Sequence, residues 1–335
     1  MKEASYYTRE NGKVRCFLCP HNCLIAVDKR GICRVRKNVG GKLIAETWEQ
    51  VCSLHFDPIE KKPLYHFYPG QTIFSVGSVG CNLHCKFCQN CEISQVGVDE
   101  YPFLHTISTE EIVNKAVSIK ENIGIAYTYN EPTVWFEFMA EIAKQAKSQN
   151  LKNVMVTNGF INPEPLEDSL EFMDAYSVDL KAFDENFYKK ITSSWLQPVL
   201  ETLKTIKKSG KHFEITNLVI TNTNDDPDEF KEMIDWIAEE LGKDTVLHIS
   251  RYHPTYKMSE PSTPETTLNL FFELASKKLD YVYLGNLHSL QGQNTYCPNC
   301  KTEVIKRTGY LTEVTGLDKV GNCESCQYKI IKYRI

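Results

Sequence analysis

Thirteen cysteines in a chain of 335 residues are where this sequence concentrates its chemistry, and all but Cys52 fall into three groups. The central group stands in Gly80-Cys81-Asn82-Leu83-His84-Cys85-Lys86-Phe87-Cys88. Three thiolates spaced C-x3-C-x2-C can each hold one iron of a [4Fe–4S] cube, which leaves the fourth iron without a protein ligand and open to chemistry. Cys91, a further x2 along, offers a fourth thiolate. It would close the site as a zinc or electron-transfer centre; the preferred reading leaves it as a thiol beside an open cluster.

The terminal groups have metal-ligand spacings of a different kind. Cys297-Pro298-Asn299-Cys300 and Cys323-Glu324-Ser325-Cys326 are two C-x2-C knuckles separated by 22 residues, the pattern of a zinc ribbon, in which four thiolates close a tetrahedral site. So short a segment buries little surface, so metal binding, on the order of 10–16 kcal/mol in finger peptides, is expected to fold it. Iron bound as in rubredoxin would have the same geometry. Near the start, Cys16, Cys19, Cys23 and Cys33 form C-x2-C-x3-C-x9-C. Zinc is expected here too, with an auxiliary iron–sulfur cluster as the alternative. His21, inside that loop, is expected to be an exposed histidine rather than a replacement ligand. Cys52 reads as a small buried residue, and His248 and His288 as core or surface histidines.

The elements that must position these groups are legible as alternating strands and helices. β-branched and aromatic runs mark strands at Thr72–Val76, Ile123–Tyr129, Asn153–Thr157, Tyr176–Lys181, His212–Thr221, Thr245–Ser250 and Asp280–Leu284. Between them lie helical patterns. Ser108 and Glu111 form a capping box ahead of Ile112, Val113 and Ala116, and Pro132, Pro163, Pro227 and Pro264 sit where a first helical turn tolerates the missing N–H. Such strand–helix units predict an α/β fold with a parallel sheet, either a partial (β/α)6-type TIM barrel or an open doubly wound sheet, with the ligand site at the strand C-terminal ends.

At those ends stand Tyr129-Asn130-Glu131-Pro132, Thr157-Asn158-Gly159, Asp179-Leu180-Lys181 and Arg251-Tyr252-His253-Pro254. Each alone is an ordinary turn or solvated charge; together, beside an open iron, they suggest one site. The cysteine loop following the first strand resembles the radical S-adenosylmethionine (radical SAM) superfamily, with Phe87 at its aromatic position. The resemblance implies a [4Fe–4S] cluster on Cys81, Cys85 and Cys88 whose open iron chelates S-adenosylmethionine. It also implies reductive cleavage of that cofactor to a 5′-deoxyadenosyl radical that abstracts hydrogen. Within the superfamily the rim motifs resemble the pyruvate formate-lyase activating enzymes. That likeness implies that Asn130 and Glu131 hold the methionine amino group and that Asp179, Lys181 and His253 lie at the cofactor, with Asn158 a further contact.

From Cys16-Phe17-Leu18-Cys19-Pro20-His21-Asn22-Cys23, through Asp57-Pro58-Ile59-Glu60-Lys61-Lys62-Pro63-Leu64, to Tyr283-Leu284-Gly285-Asn286 and the last knuckles, the chain looks like the radical protein of the AmmeMemoRadiSam system. Expected partners are then a one-electron donor such as flavodoxin or ferredoxin and the proteins of that system. An activase that makes a glycyl radical on a partner enzyme is the alternative, and a non-catalytic iron–sulfur or zinc scaffold is the reading outside enzymes. Three regions follow: a cysteine-rich extension (1–66), a barrel (67–290) and a ribbon (291–335).

Composition agrees with an ordinary globular chain: 42% hydrophobic, 24% charged, net charge −5. The ends are mildly basic and the middle acidic, too little to argue nucleic-acid binding. The polar start lacks the apolar run of a signal peptide, and cysteines kept as thiols suit a reducing compartment, so a cytoplasmic protein is expected.

Overall fold

The computed structural model describes residues 2–287, 289 and 291–333; His288 lies outside them. Seven strands hydrogen-bond in chain order: β1 (Thr72–Gly77), β2 (Asn122–Tyr127), β3 (Lys152–Thr157), β4 (Ala175–Asp179), β5 (His212–Val219), β6 (Val246–Arg251) and β7 (Tyr281–Gly285). All six neighbouring pairs are parallel. Each parallel step needs a crossover, which helices supply: α1 (Thr109–Ser118), α2 (Phe136–Ser148), α3 (Pro163–Leu170), α4 (Gln197–Ser209), α5 (Pro227–Trp236) and α6 (Glu265–Ser276). This is a (β/α)6 partial barrel with a seventh strand, and the expected parallel α/β architecture holds.

Local sequence accounts for the boundaries. Ser108 caps α1 with a complete capping box, and Pro163 and Pro227 open α3 and α5. Pro264 sits one residue outside, at the N-cap of α6. The β2 strand stops at Tyr127, short of the expected Tyr129, because Tyr129 adopts a φ of 73°. The strand Ser53–Pro58 pairs antiparallel with β1, so the sheet begins ahead of the 66/67 boundary expected from the sequence.

One face of the sheet packs on the helices. Val178, Ile215, Leu247 and Ile249 join Phe138, Leu203 and Leu268 in the main core. The other face forms the lumen, closed towards the strand N-terminal ends. Ile73, Ala126, Val154 and Ala175 pack on Ile59, Leu64 and Phe67, while Tyr281 and Tyr283 pack on Val304, Ile305 and Ile331 of the C-terminal segment. That segment carries strands at Glu303–Thr308 and Leu311–Val314. Its Arg307 donates to the Tyr65 carbonyl at 2.8 Å and lies 4.1 Å from the Tyr65 ring centre. The ribbon therefore plugs the floor, and the lumen opens at the opposite end.

The N-terminal extension consists of two three-stranded sheets fixed to the barrel by a buried ion pair. Arg36, 1% exposed, bonds both carboxylate oxygens of Glu137 on α2 at 2.9 Å. Removing either partner would strand a buried charge at a cost of about 3–5 kcal/mol.

Candidate active site

The cysteine loop leaves the C-terminal end of β1 and is tied down on every side. His84 and Lys86 donate backbone N–H to the carbonyls of Thr192 and Ile191 at 2.8 and 3.0 Å, and the Lys257 N–H donates to the Lys86 carbonyl at 2.9 Å. Asn130, after β2, donates through Nδ2 to the Gly80 carbonyl at 2.8 Å. Asn158, after β3, donates to Asn82 Oδ1 at 2.9 Å and lies 3.8 Å from the Cys81 sulfur. Asn82 in turn donates to the Phe160 carbonyl at 2.7 Å.

Glu131 is 1% exposed. One oxygen accepts from the Thr133 N–H and from the Thr133 and Thr157 hydroxyls, and the other accepts the Asn158 N–H. Burial pushes its carboxyl above the usual carboxylate range despite these donors. Three donors crowd one oxygen and one donor meets the other, which keeps a free lone pair; in this arrangement its direct effect is to fix the ends of β2 and β3 relative to each other.

Lys181, after β4, donates to Asp179 Oδ2 at 2.9 Å and lies 5.6 Å from the Phe87 ring centre. Against the downward pull of burial, Asp179 and Cys85 hold its ammonium above the ordinary lysine value. Burial pushes the Cys85 thiol up to about 12 and Cys81 well above its ordinary value. Without a cation Cys81 and Cys85 therefore stay neutral thiols, and a metal centre would offset the cost of ionising them.

The structure thus gathers Cys81, Cys85, Cys88, Phe87, Asn130, Glu131, Asn158, Asp179 and Lys181 at one rim. His253 stands apart: it is exposed and its ring pairs with Ser262 at 3.1 Å. His21 departs from its expected exposure. It is half-buried between the rings of Phe160 and Trp195, and its Nε2 lies 2.8 Å from the Asn82 carbonyl. Cys52 is also only half-buried, and its thiol donates to the Ser78 carbonyl at 2.8 Å. Sequence reasoning placed Tyr129 in a rim motif but gave it no role of its own. Its left-handed backbone turns Asn130 towards the loop, and its ring crosses Gly77, where an added Cβ would come within 2.9 Å. A Gly ending a strand opposite an aromatic was the available signal.

Below the rim the lumen keeps open space. Asp179 pairs with Thr216, Leu218 with Ser250 and Ser250 with Gly285; paired residues share a face, and all five are only partly buried. Thr216 Oγ1 is buried and finds no hydrogen-bond partner among the described residues.

Comparison with known proteins agrees with this geometry. Residues 75–237 match the radical SAM superfamily. A Methanocaldococcus jannaschii protein with the provisional name glycyl-radical enzyme activating enzyme is 30% identical over 62% of this chain and 76% of its own length. The chain belongs to the radical SAM superfamily. An uncharacterized M. jannaschii protein is 44% identical over 98% of this chain and 99% of its own. The radical SAM fold is also seen in Streptococcus suis SuiB bound to S-adenosylmethionine, at 13% identity and TM-score 0.51, covering 69% of this chain and 54% of that one.

Radical SAM membership implies a [4Fe–4S] cluster and S-adenosylmethionine. The donor set fits: three thiols on one buttressed loop and, beside it, the Lys181 ammonium 5.6 Å from the Phe87 ring. A separate centre lies in the ribbon. Cys297, Cys300, Cys323 and Cys326 have sulfurs within 4.8 Å of one another, with contacts of 3.5 and 3.6 Å, a group that can hold a metal ion.

Proposed function

We propose that this chain holds its cluster through Cys81, Cys85 and Cys88, binds S-adenosylmethionine at the open iron, and uses the pair to abstract hydrogen from an organic substrate. When bound and reduced, the pair supplies a 5′-deoxyadenosyl radical. The chain's own residues position and shield it. Asn130, Asn82 and Asn158 hold the loop; Glu131 fixes Asn158; Lys181 offers an ammonium to a carboxylate and Asp179 an acceptor to an ammonium or hydroxyl. Phe87 and Phe187, 6.0 Å apart, keep the cluster side dry. His253 reaches the cofactor only if the segment to Ser262 adjusts.

The observation that carries this reading is that the three-cysteine loop sits at the mouth of a lumen whose other end is sealed by the ribbon. A substrate must then enter beside the cluster. We assign zinc to the ribbon, because sulfurs already at 3.5 and 3.6 Å approach the spacing of about 3.8 Å that a tetrahedral site with bonds of about 2.3 Å requires. The electron donor is of the flavodoxin or ferredoxin class. The motifs shared along the chain support partners from the AmmeMemoRadiSam system and a cytoplasmic setting; among the described residues no helix is long and apolar enough to cross a membrane. A glycyl radical on a partner enzyme is the second reading, favoured by the relative named as such an activating enzyme.

The test is 5′-deoxyadenosine formation from S-adenosylmethionine under dithionite without oxygen. Replacing Cys81, Cys85 and Cys88 together by Ala should abolish it, and a triple variant that still cleaves the cofactor would overturn the assignment.

A further inference from the structure

The N-terminal quartet differs in geometry from the ribbon quartet. Cys16, Cys19, Cys23 and Cys33 line a small cavity, and among the described residues the ribbon cysteines, and not these four, gather within 4.8 Å of one another. A tetrahedral zinc site draws four sulfurs to about 2.3 Å from one centre, which brings them into mutual contact, as in the ribbon. A cubane needs the opposite, four sulfurs held apart around a compact inorganic core.

The walls suit such a core. Leu18, Ile25 and Val134 are apolar and buried. Arg36 completes the wall, and among the described residues its buried Nε–H has no hydrogen-bond partner although both terminal nitrogens are engaged. An unpaired buried N–H is costly; a sulfide or thiolate of a cluster would accept it.

The cavity also abuts the first cluster loop. Gly80 has a φ of 84°, and a Cβ there would lie 2.6 Å from the Cys33 carbonyl oxygen, so the residue preceding Cys81 touches the backbone of a ligand of the quartet. His84 Nε2 lies 3.2 Å from the Ile32 carbonyl and His21 Nε2 2.8 Å from the Asn82 carbonyl, making three cross-contacts between the loops.

We propose that Cys16, Cys19, Cys23 and Cys33 hold a second [4Fe–4S] cluster, which receives one electron at a time from a low-potential ferredoxin- or flavodoxin-class donor and passes it to the cluster on Cys81, Cys85 and Cys88. In each transfer the donor loses one electron and the second cluster goes from the 2+ to the 1+ state. It then returns to 2+ as the first cluster is reduced, and no proton or bond changes hands. The existence of the second cluster is independent of the proposed function; its role as a relay rests on it.

The experiment compares anaerobically reconstituted full-length protein with two variants. The first, Cys81→Ala with Cys85→Ala and Cys88→Ala, should keep one cube's worth of iron and, once reduced, an electron paramagnetic resonance signal that S-adenosylmethionine does not move. Zinc in place of that iron, or no iron at all, would overturn the proposal. The second, Cys19→Ser with Cys33→Ser, should lose half the wild-type iron and keep a signal that S-adenosylmethionine shifts. It should cleave the cofactor with dithionite but at least tenfold more slowly than wild type with reduced flavodoxin. Equal rates with flavodoxin would overturn the relay. Should the second variant not fold, the iron and signal of the first decide the cluster. Wild type with a cluster signal that S-adenosylmethionine never moves would instead sink the proposed function and leave the second cluster standing.

Discussion

The carboxylate of Glu131, at the end of β2, accepts the backbone N–H of Asn158, at the end of β3, at 2.8 Å, so one buried side chain sets the distance between two rim residues. Glu131→Gln presents an N–H where an acceptor is needed and should cost about 1–3 kcal/mol of stability. It should also weaken S-adenosylmethionine binding, measured by equilibrium dialysis, while iron content is retained. Loss of iron would place Glu131 in the folding of the cluster loop instead.

Lys181 offers a more direct test of cofactor contact. Lys181→Met keeps the stem that packs by Phe87 and removes the ammonium. Affinity for S-adenosylmethionine should fall about 10- to 100-fold, the worth of one charge-assisted hydrogen bond, with the iron content and melting temperature close to wild type.

The contact between Gly80 and Cys33 admits no side chain. Gly80→Ala meets both the positive φ and the Cys33 carbonyl, so this single methyl should reduce iron incorporation, measured as iron per chain after reconstitution, more than Gly12→Ala. Gly12 also has positive φ but nothing within 4 Å of an added Cβ.

The barrel floor predicts a pH dependence. Burial pushes His66 down to about 3, and its Nε2 lies 2.7 Å from the Tyr283 hydroxyl. An unfolded chain takes up this proton near pH 6.5, whereas the folded chain resists to about 3. Stability is therefore full above about pH 6.5 and falls as pH drops below it, by up to about 1.4 kcal/mol per unit. Melting temperatures from pH 7 to 5 should fall less steeply in His66→Gln than in wild type.

The ribbon should depend on its metal. A strong chelator is expected to release zinc and lower the melting temperature, because Arg307 and the Tyr65 ring join the ribbon to the barrel. Retention of metal-free stability would show that the ribbon core of Val304, Ile305 and Ile331 folds unaided.

The sequence made the seven strands legible to within two residues at most boundaries, because each is a short β-branched run between turn formers. The cluster loop was legible for a different reason: coordination chemistry constrains spacing along the chain. What remained hidden depends on contacts distant in sequence. Ser53–Pro58 has no periodic signature and becomes a strand only by pairing with β1. His21 looks exposed until Phe160 and Trp195 close on it. Glu131 reads as a cofactor contact in sequence, but its bonds to Thr133, Thr157 and Asn158 appear only in the fold.

On the proposed function, Cys81, Cys85 and Cys88 hold a four-iron cube with one iron free for S-adenosylmethionine. Mössbauer spectroscopy of anaerobic protein reconstituted with iron-57, with and without S-adenosylmethionine, tests it most directly. The account predicts that one iron site of a cube changes its isomer shift when S-adenosylmethionine is added, and that this response vanishes in the Cys81, Cys85 and Cys88 triple variant. Spectra without a four-iron cube, or with a cube in which no site responds, would contradict it.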